Sequence, residues 1–337
     1  MLRVGPRSAG AEPGPAAYGR GGTEPTVTDA NVVLGRLPSG ERESSLTLYS
    51  DKALLAVDNL ASQVGIKTQA MAEGITKIAV VNMTAAIKEI SVMRGLDPRD
   101  FALMAYGGAG PLHATAIADE LGMRHVIVPP MPANFSALGL LVADLRRDFV
   151  RTRVKSSASI TQDEVNVILQ ELLAEGRSEL EAASFSPERQ RFEARLDIRY
   201  IGQAFELSVP VPLDFSSTDE IDATFRKIYA DRYGEAPDDG SEIVNYRLTA
   251  WGITDKPVLP RLTSSGRANG AGQAVERQVV FDGEPVSTNV YYRSAMPLEE
   301  TIAGPALIEE AASVTVVPPA WSGRLTAGDC IVLERIS

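Results

Sequence analysis

The sequence predicts an α/β protein that turns β-rich toward its C-terminus. Three observations carry this. An apolar run at 101–106, a glycine turn, a helix-like stretch at 112–121 and a second apolar run at 125–128 follow one another, the order of a βαβ-type layer. Between 50 and 95, apolar residues recur at intervals of three and four, the stripe of a packed helix. Beyond 190, short alternating segments are separated by turn residues, as in sheet proteins.

Taken in order, residues 1–40 are rich in Gly and Pro and read as loop with short extended pieces. Thr28 or Asp29 is placed to cap a short helix holding Ala30, Val32 and Val33. Ser50 or Asp51 opens a helix through Leu54, Leu55, Val57 and Leu60, and Gly65 stops it. A second helix runs from about Thr68 to Met93, with Ile75, Ile78, Ala79, Met83, Ala86, Ile87 and Ile90 on one side. After the 101–128 layer, a short helix is expected at 136–144 and a strand at 147–155. Thr161 and Glu164 have the spacing of a capping box for a helix to about Ala183. Residues 192–200 and 204–211 read as a hairpin. Ser217 and Glu220 cap a helix over 221–233, and a long strand covers 243–253. A Pro-, Ser- and Gly-rich linker spans 255–275, followed by strands at 277–281, 288–292, 306–308, 313–317 and 330–334. The expected domains are therefore 1–155, 156–255 with its long helix and hairpin, and a β-rich 276–337.

Composition narrows the function. The 337 residues are 44% hydrophobic, enough for two or three domains. Net charge is −11, from 33 basic and 44 acidic residues, and no basic cluster marks a nucleic-acid footprint. Cys330 stands alone, so neither an internal disulfide nor a thiolate metal cage is available; it reads as a small apolar residue of a final strand. Two histidines, His113 and His125, are too few for a multi-histidine metal centre. No apolar run is read as a membrane span or signal peptide, and a cytoplasmic protein is expected. The dense turn motif Gly5-Pro-Arg-Ser-Ala-Gly-Ala-Glu-Pro-Gly-Pro15 comes at once after Met1, and reads as the middle of something longer.

The candidate site is the turn itself, Tyr106-Gly107-Gly108-Ala109-Gly110-Pro111-Leu112-His113. Glycines between a strand and a helix let a ligand approach the backbone, and Pro111 suits a first helical turn. The free N–H groups of that turn carry positive partial charge, so a nucleotide fits there. Plain packing of a tight turn uses the same residues. His113 reads as a ligand contact, a subunit contact or a packed side chain. Asp29 reads as a substrate-side carboxylate or a helix cap.

Several segments together resemble the A subunit of the hydantoinase/5-oxoprolinase family, whose relatives include the ATP-handling subunits of acetone and acetophenone carboxylases. They are Gly5 to Gly22, Pro25-Thr-Val-Thr-Asp-Ala-Asn31, Asp97-Pro-Arg-Asp-Phe-Ala-Leu103 running into Tyr106–His113, Ser136-Ala-Leu-Gly-Leu140, Asp197-Ile-Arg-Tyr-Ile-Gly-Gln203 and Ala303-Gly-Pro-Ala-Leu-Ile-Glu-Glu310. The resemblance implies part of an actin/hexokinase-like (ribonuclease H-like) ATPase domain followed by a β-rich α+β region. It implies ATP and Mg²⁺ as cofactors, and a small cyclic amide whose ring carbonyl is activated by phosphorylation and opened by water. The alternatives it leaves are the ATP-handling subunit of a ketone carboxylase and a fragment with no activity of its own.

On this resemblance Gly107, Gly108, Ala109 and Gly110 contact adenosine. Asp29 and His113 are the weaker catalytic candidates. The family's two Asp-x-Gly-x-Thr-like phosphate loops are missing; the nearest string, Arg20-Gly-Gly-Thr23, lacks the aspartate that would hold Mg²⁺ through water. Ala17 stands where relatives often have cysteine. The implied partners are an N-terminal half or companion A-type chain and a B-type subunit, and the isolated chain is expected to be inactive.

Overall fold

The computed structural model describes residues 2–40, 46–214, 218–257 and 275–336. In chain order the helices and strands begin with α1 (Val27–Val33), α2 (Ser50–Val64), α3 (Thr68–Ile90), β1 (Leu103–Met104), α4 (Gly110–Leu121), β2 (His125–Val128) and α5 (Phe135–Val142). Next come β3 (Leu145–Ser156), α6 (Gln162–Ala182), β4 (Gln190–Tyr200), β5 (Leu207–Val211), α7 (Thr218–Tyr233) and β6 (Ser241–Gly252). The chain closes with β7 (Val275–Phe281), β8 (Glu284–Tyr292), β9 (Thr301–Ala303), β10 (Ala306–Glu310), β11 (Ser313–Val317), β12 (Trp321–Leu325) and β13 (Ile331–Arg335). The strands form three sheets within two compact units: Met1–Leu138 with Leu259–Ser337, and Gly139–Val258.

In the first unit, the expected βαβ layer is present. β1 and β2 run parallel, Leu103 opposite Val126, with α4 crossing between them. Two short parallel strands leave an edge that needs a partner. The C-terminal strand supplies it: β13 lies antiparallel to β2, Ile331 opposite Val128, and the order becomes β1-β2-β13-β12-β9. The 276–337 segment is therefore not a domain of its own, as the boundaries above expected. It completes the sheet begun at Leu103, and its β11-β10-β8-β7 sheet adjoins α1 through the Val280 amide, which donates to Leu34 O at 2.9 Å. At that join a Cβ on Gly35 would stand 2.2 Å from Gln278 O, so only glycine lets β7 come so close.

The core of this layer gathers Ala114, Ile117, Ala118 and Leu121 of α4 against Val126, Val128, Ile308, Trp321 and Ile331. Trp321 is fully buried, and its Nε1 donates to Asp119 Oδ2 at 3.2 Å. Arg335 Nε meets the other oxygen of Asp119 at 2.9 Å, so β12 and β13 are both fastened to the C-terminal end of α4. α3 buries Met71, Ala72, Ile75, Ala79 and Val80. The helical stretch Thr68–Arg94 is nevertheless long and apolar enough, by length and composition, to cross a membrane, contrary to the expectation of no such run. Its inner stripe packs with Ala30, Leu34, Val57 and Ala61 of α1 and α2 and the turn after α1.

The second unit is an antiparallel sheet, β3-β6-β4-β5, with α6 and α7 on one face. Its buried residues alternate along β6: Ile243, Tyr246, Leu248 and Ala250, the phase slipping once at the irregularity beside Asp197. The expected capping box is there: Thr161 Oγ1 accepts from Glu164 N, and Glu164 accepts from Thr161 N at 3.0 Å. The hairpin holds, although its second strand begins at Leu207 rather than Ala204. The proposed Ser217 cap and most of the 255–275 linker fall outside the described residues.

Candidate functional site

The strand-to-helix corner at 105–111 is built from both ends. The Ala105 amide donates to Ile127 O at 2.8 Å, extending the β1–β2 ladder. The chain then turns at Gly107, whose φ of +87° belongs to the left-handed region, and its amide donates to Pro132 O at 2.7 Å. A Cβ at Gly107 would touch nothing within 4 Å, so glycine is required there for backbone conformation, not for room. Gly108 and Ala109 are exposed, and no side chain caps α4 at Ala109. The exposed part of the corner is thus Gly108 and Ala109; behind it the first turn of α4 is buried at Pro111, Leu112 and His113, and Leu112 N donates to Ala109 O at 3.2 Å.

Three apolar side chains stand around this corner. Tyr106 is 50% exposed and Met131 is 48% exposed. Phe135 lies with its ring centroid 5.5 Å from that of Tyr106, tilted by 52°. Met131 has φ 49° and ψ 54°, a left-handed conformation rarely taken by a residue of its kind, least of all before a proline. The loop after β2 is held from beneath by Arg293, which is buried and donates to Pro129 O at 2.9 Å and Val128 O at 3.3 Å. Sequence reasoning missed this support. Only the Pro129-Pro130-Met131-Pro132 string hinted that the loop was fixed.

The two weaker candidates lie away from solvent. Asp29 is fully buried. Its Oδ1 accepts from Ala17 N at 2.7 Å, and its Oδ2 accepts from Thr26 N at 2.8 Å, Thr26 Oγ1 at 2.7 Å and Ala16 N at 3.3 Å. Thr26, not Thr28 or Asp29, is the N-cap of α1, with Asp29 its reciprocal partner in a capping box. The carboxylate thus faces donors of its own loop. His113, in the first turn of α4, is 4% exposed, and its Nδ1 has no partner. Burial, and then the nearby Arg36, pull its pKa down to about 4. A neutral, enclosed imidazole matches the packed alternative for this residue. Arg36 is itself pulled down by burial, opposed by Glu73 and Asp282.

A separate open cleft of about 510 Å³ lies along the N-terminal loop, lined by Arg3, Arg7, Ser8, Tyr18, Leu60 and Ile75 among others. Arg7 pairs with Glu24 at its rim. The turn and loop residues of the 105–111 corner, Tyr106, Met131, Asn134 and Phe135, include no carboxylate. Among the described residues no group of three or more His, Cys, Asp or Glu side chains is placed to hold a metal ion. These residues suit a base and a sugar, and do not fit the Mg²⁺ that the resemblance implied.

Residues 1–149 match the hydantoinase/oxoprolinase family and residues 153–334 match the hydantoinase/oxoprolinase C-terminal domain. The chain is 34% identical over 332 residues to the caprolactamase subunit alpha of Pseudomonas jessenii, covering 95% of this chain and 48% of the relative. It is 30% identical over 353 residues to the acetophenone carboxylase gamma subunit of Aromatoleum aromaticum, covering 99% of this chain and 48% of the relative. Among solved structures, the ATP-dependent caprolactamase from Pseudomonas jessenii superposes with a TM-score of 0.81 at 33% identity, covering 99% of this chain and 50% of that one. The α/β fold is the class expected from the sequence. The chain spans about half the length of the curated relatives it matches.

Proposed function

The chain belongs to the hydantoinase/oxoprolinase family, and from that premise we propose that it forms the adenosine-side part of an ATP-dependent cyclic-amide hydrolase. The observation that supports this best is the open, uncapped corner at Gly107–Gly110. Relatives named caprolactamase and carboxylase subunits agree with an ATP-consuming role for it. In the proposed reaction the ring amide oxygen attacks the γ-phosphorus and ADP leaves. The ring carbon, now bearing a phosphate ester, becomes a good electrophile. Water adds to it, the C–N bond breaks to release the amine and leave an acyl phosphate, and a second water hydrolyses that to carboxylate and phosphate.

The contribution of this chain is positional. The exposed backbone of Gly108 and Ala109, on a turn set by Gly107, lets the nucleotide approach and orients it. The groups that grip the triphosphate are assigned to a companion half, and a B-type subunit completes the hydrolase. A cytoplasmic location, where ATP is at hand, is part of the proposal.

The test is to mix the purified chain with a matching N-terminal half and follow ADP release with and without a lactam. Turnover is expected only in the mixture. Mg²⁺-dependent ATP hydrolysis by the pure chain, or none in the mixture, would refute the proposal. A second reading, the ATP-handling subunit of a ketone carboxylase, has the 30% identity to the acetophenone carboxylase gamma subunit in its favour. A ketone- and bicarbonate-dependent release of ADP, in place of a lactam-dependent one, would select it.

A further inference from the structure

We propose that the tip of the β4–β5 hairpin, together with the loop after α7, is the surface on which the B-type subunit docks, through an apolar side chain flanked by Lys or Arg. The inference rests on the reading of this chain as one part of a multi-subunit hydrolase and adds the place of contact. Three large apolar side chains meet water there: Ile201 is 58% exposed, Phe205 44% and Tyr233 48%. They are neighbours in the fold. The Phe205 and Tyr233 ring centroids lie 5.7 Å apart, and the Ile201 amide donates to Gly240 O at 2.9 Å. Apolar residues exposed singly are ordinary, whereas a patch of them with a polar border marks an interaction site.

The anchors are held in place before anything binds. Tyr233 packs on Tyr229 at 4.7 Å and Tyr229 on the buried Tyr200 at 5.0 Å, so a column of rings runs from the core to the surface. Gln203 Nε2 donates to Tyr229 Oη at 3.0 Å and ties the hairpin to α7. Arg226 of α7 donates to Pro237 O at 2.9 Å and Asp239 O at 3.2 Å, which fastens the loop that follows the helix. Aromatic side chains already fixed this way lose little freedom on association, and such residues carry most of the energy of an interface.

Charge selects the occupant. Glu206 follows Phe205, and Glu235, Asp238 and Asp239 lie in the loop against Ile201; all four are exposed. Among the described residues Glu206, Glu235 and Asp239 have no ion pair, and Asp238 comes no nearer to Arg226 than 3.6 Å. Arg232, 5.7 Å from the Tyr233 ring centre, is the cation beside the patch. An apolar centre with an acidic border is complemented by a basic surface. A second copy of this chain, with its net charge of −11, meets long-range repulsion instead. The Gly107–Gly110 corner, to which the companion half is assigned, belongs to the first unit, and the tip belongs to the second. That leaves the tip to the other partner, and relatives of this chain are themselves named as subunits.

The probe is a matching B-type subunit, titrated into the purified chain by calorimetry and followed by hydrogen–deuterium exchange. Exchange is expected to slow over residues 200–206 and 233–240. Phe205→Ala is expected to weaken binding about thirtyfold. Glu206→Lys, Glu235→Lys and Asp239→Lys combined should weaken it about tenfold, chiefly through slower association. The same reversals at Glu171, Glu179 and Glu181, exposed on α6, should stay within about twofold. Protection confined to other segments, or equal losses in the two triple variants, overturns the docking surface and leaves the functional reading standing. Protection of the tip that grows with concentration in the pure chain, the mark of a second copy, does the same. Absence of binding overturns it as well, and lactam-dependent ADP release then decides whether the functional reading falls with it. Exchange is read on the wild type, so misfolding of Phe205→Ala would not shield the proposal.

Discussion

Arg293 Nη1 lies 2.8 Å from Glu310 Oε1, and the two side chains keep only 8% and 16% of their surface in water. The guanidinium also donates to the carbonyls of Val128, Pro129 and Asp329. One buried cation therefore ties the end of β2, the end of β10 and the turn before β13. Arg293→Met would leave Glu310 charged without a partner and three carbonyls without their donor. The expected loss is about 3–5 kcal/mol of stability in urea unfolding. A loss under about 1 kcal/mol would show that the join does not depend on it.

Glu310 itself gives a pH signature. Burial raises its pKa, and Arg293 opposes the rise. A carboxyl with a raised folded-state pKa favours the fold below the ordinary carboxylate range, and that contribution is lost as pH climbs through the raised value. In Glu310→Gln the part of the stability decline that begins near pH 4.5 and ends at the raised value should disappear. An unchanged stability profile across that window would rule the assignment out.

His113 acts in the opposite sense. Its pKa falls from 6.5 to about 4 because the charged imidazolium loses its hydration and faces Arg36. The unfolded chain then binds more protons than the folded one between these values, so stability is full above pH 6.5 and declines as pH falls toward 4. At 4% exposure the full window corresponds to about 3 kcal/mol. His113→Gln should flatten the pH 4–6.5 limb of the stability curve. A wild-type profile that is already flat there would refute the buried, neutral assignment.

Much of this was written locally, and what was not is non-local. The βαβ layer around Gly107, the Thr161–Glu164 capping box and the α6 helix depend on residues a few positions apart, and each formed as the spacing required. The second strand pairing of β2 depends on residues some 200 positions downstream, and nothing in 330–334 distinguishes a strand of a separate domain from one that closes an earlier sheet. The site divides the same way. The turn was legible from its glycines. Its supports, Pro132 O for Gly107 and Arg293 for Pro129, are tertiary contacts without a local pattern. Asp29 was ambiguous because its partners include Ala16 and Ala17, behind it in the chain, as well as Thr26.

Asp29 can be tested as a cap. Its carboxylate takes donors from Ala16, Ala17 and Thr26, all of them near or below the surface. Asp29→Ala would strand buried amides and remove half of a capping box. A loss of about 2–4 kcal/mol is expected, with faster proteolysis in the 14–22 loop. Asp29→Asn, which keeps one acceptor, should lose less than half as much. If Asp29→Ala were as stable as the wild type while lactam-dependent turnover in the reconstituted mixture vanished, the residue would be catalytic instead.

The glycines of the corner separate turn geometry from ligand approach. Gly107→Ala forces an L-residue into φ +87° and should lower stability by about 1 kcal/mol, although its Cβ meets no atom within 4 Å. Gly108 is the sharper test. Its φ is not positive, its surface is exposed, and an added Cβ would stand 3.4 Å from Ala312 O, ordinary contact. The fold should therefore tolerate Gly108→Ala within about 0.5 kcal/mol. If a nucleotide approaches the backbone here, that methyl group blocks it, and adenosine affinity should fall about tenfold with the unfolding midpoint nearly unmoved. A Gly108→Ala protein that binds adenosine as the wild type does would mean that glycine at this position answers only to the turn.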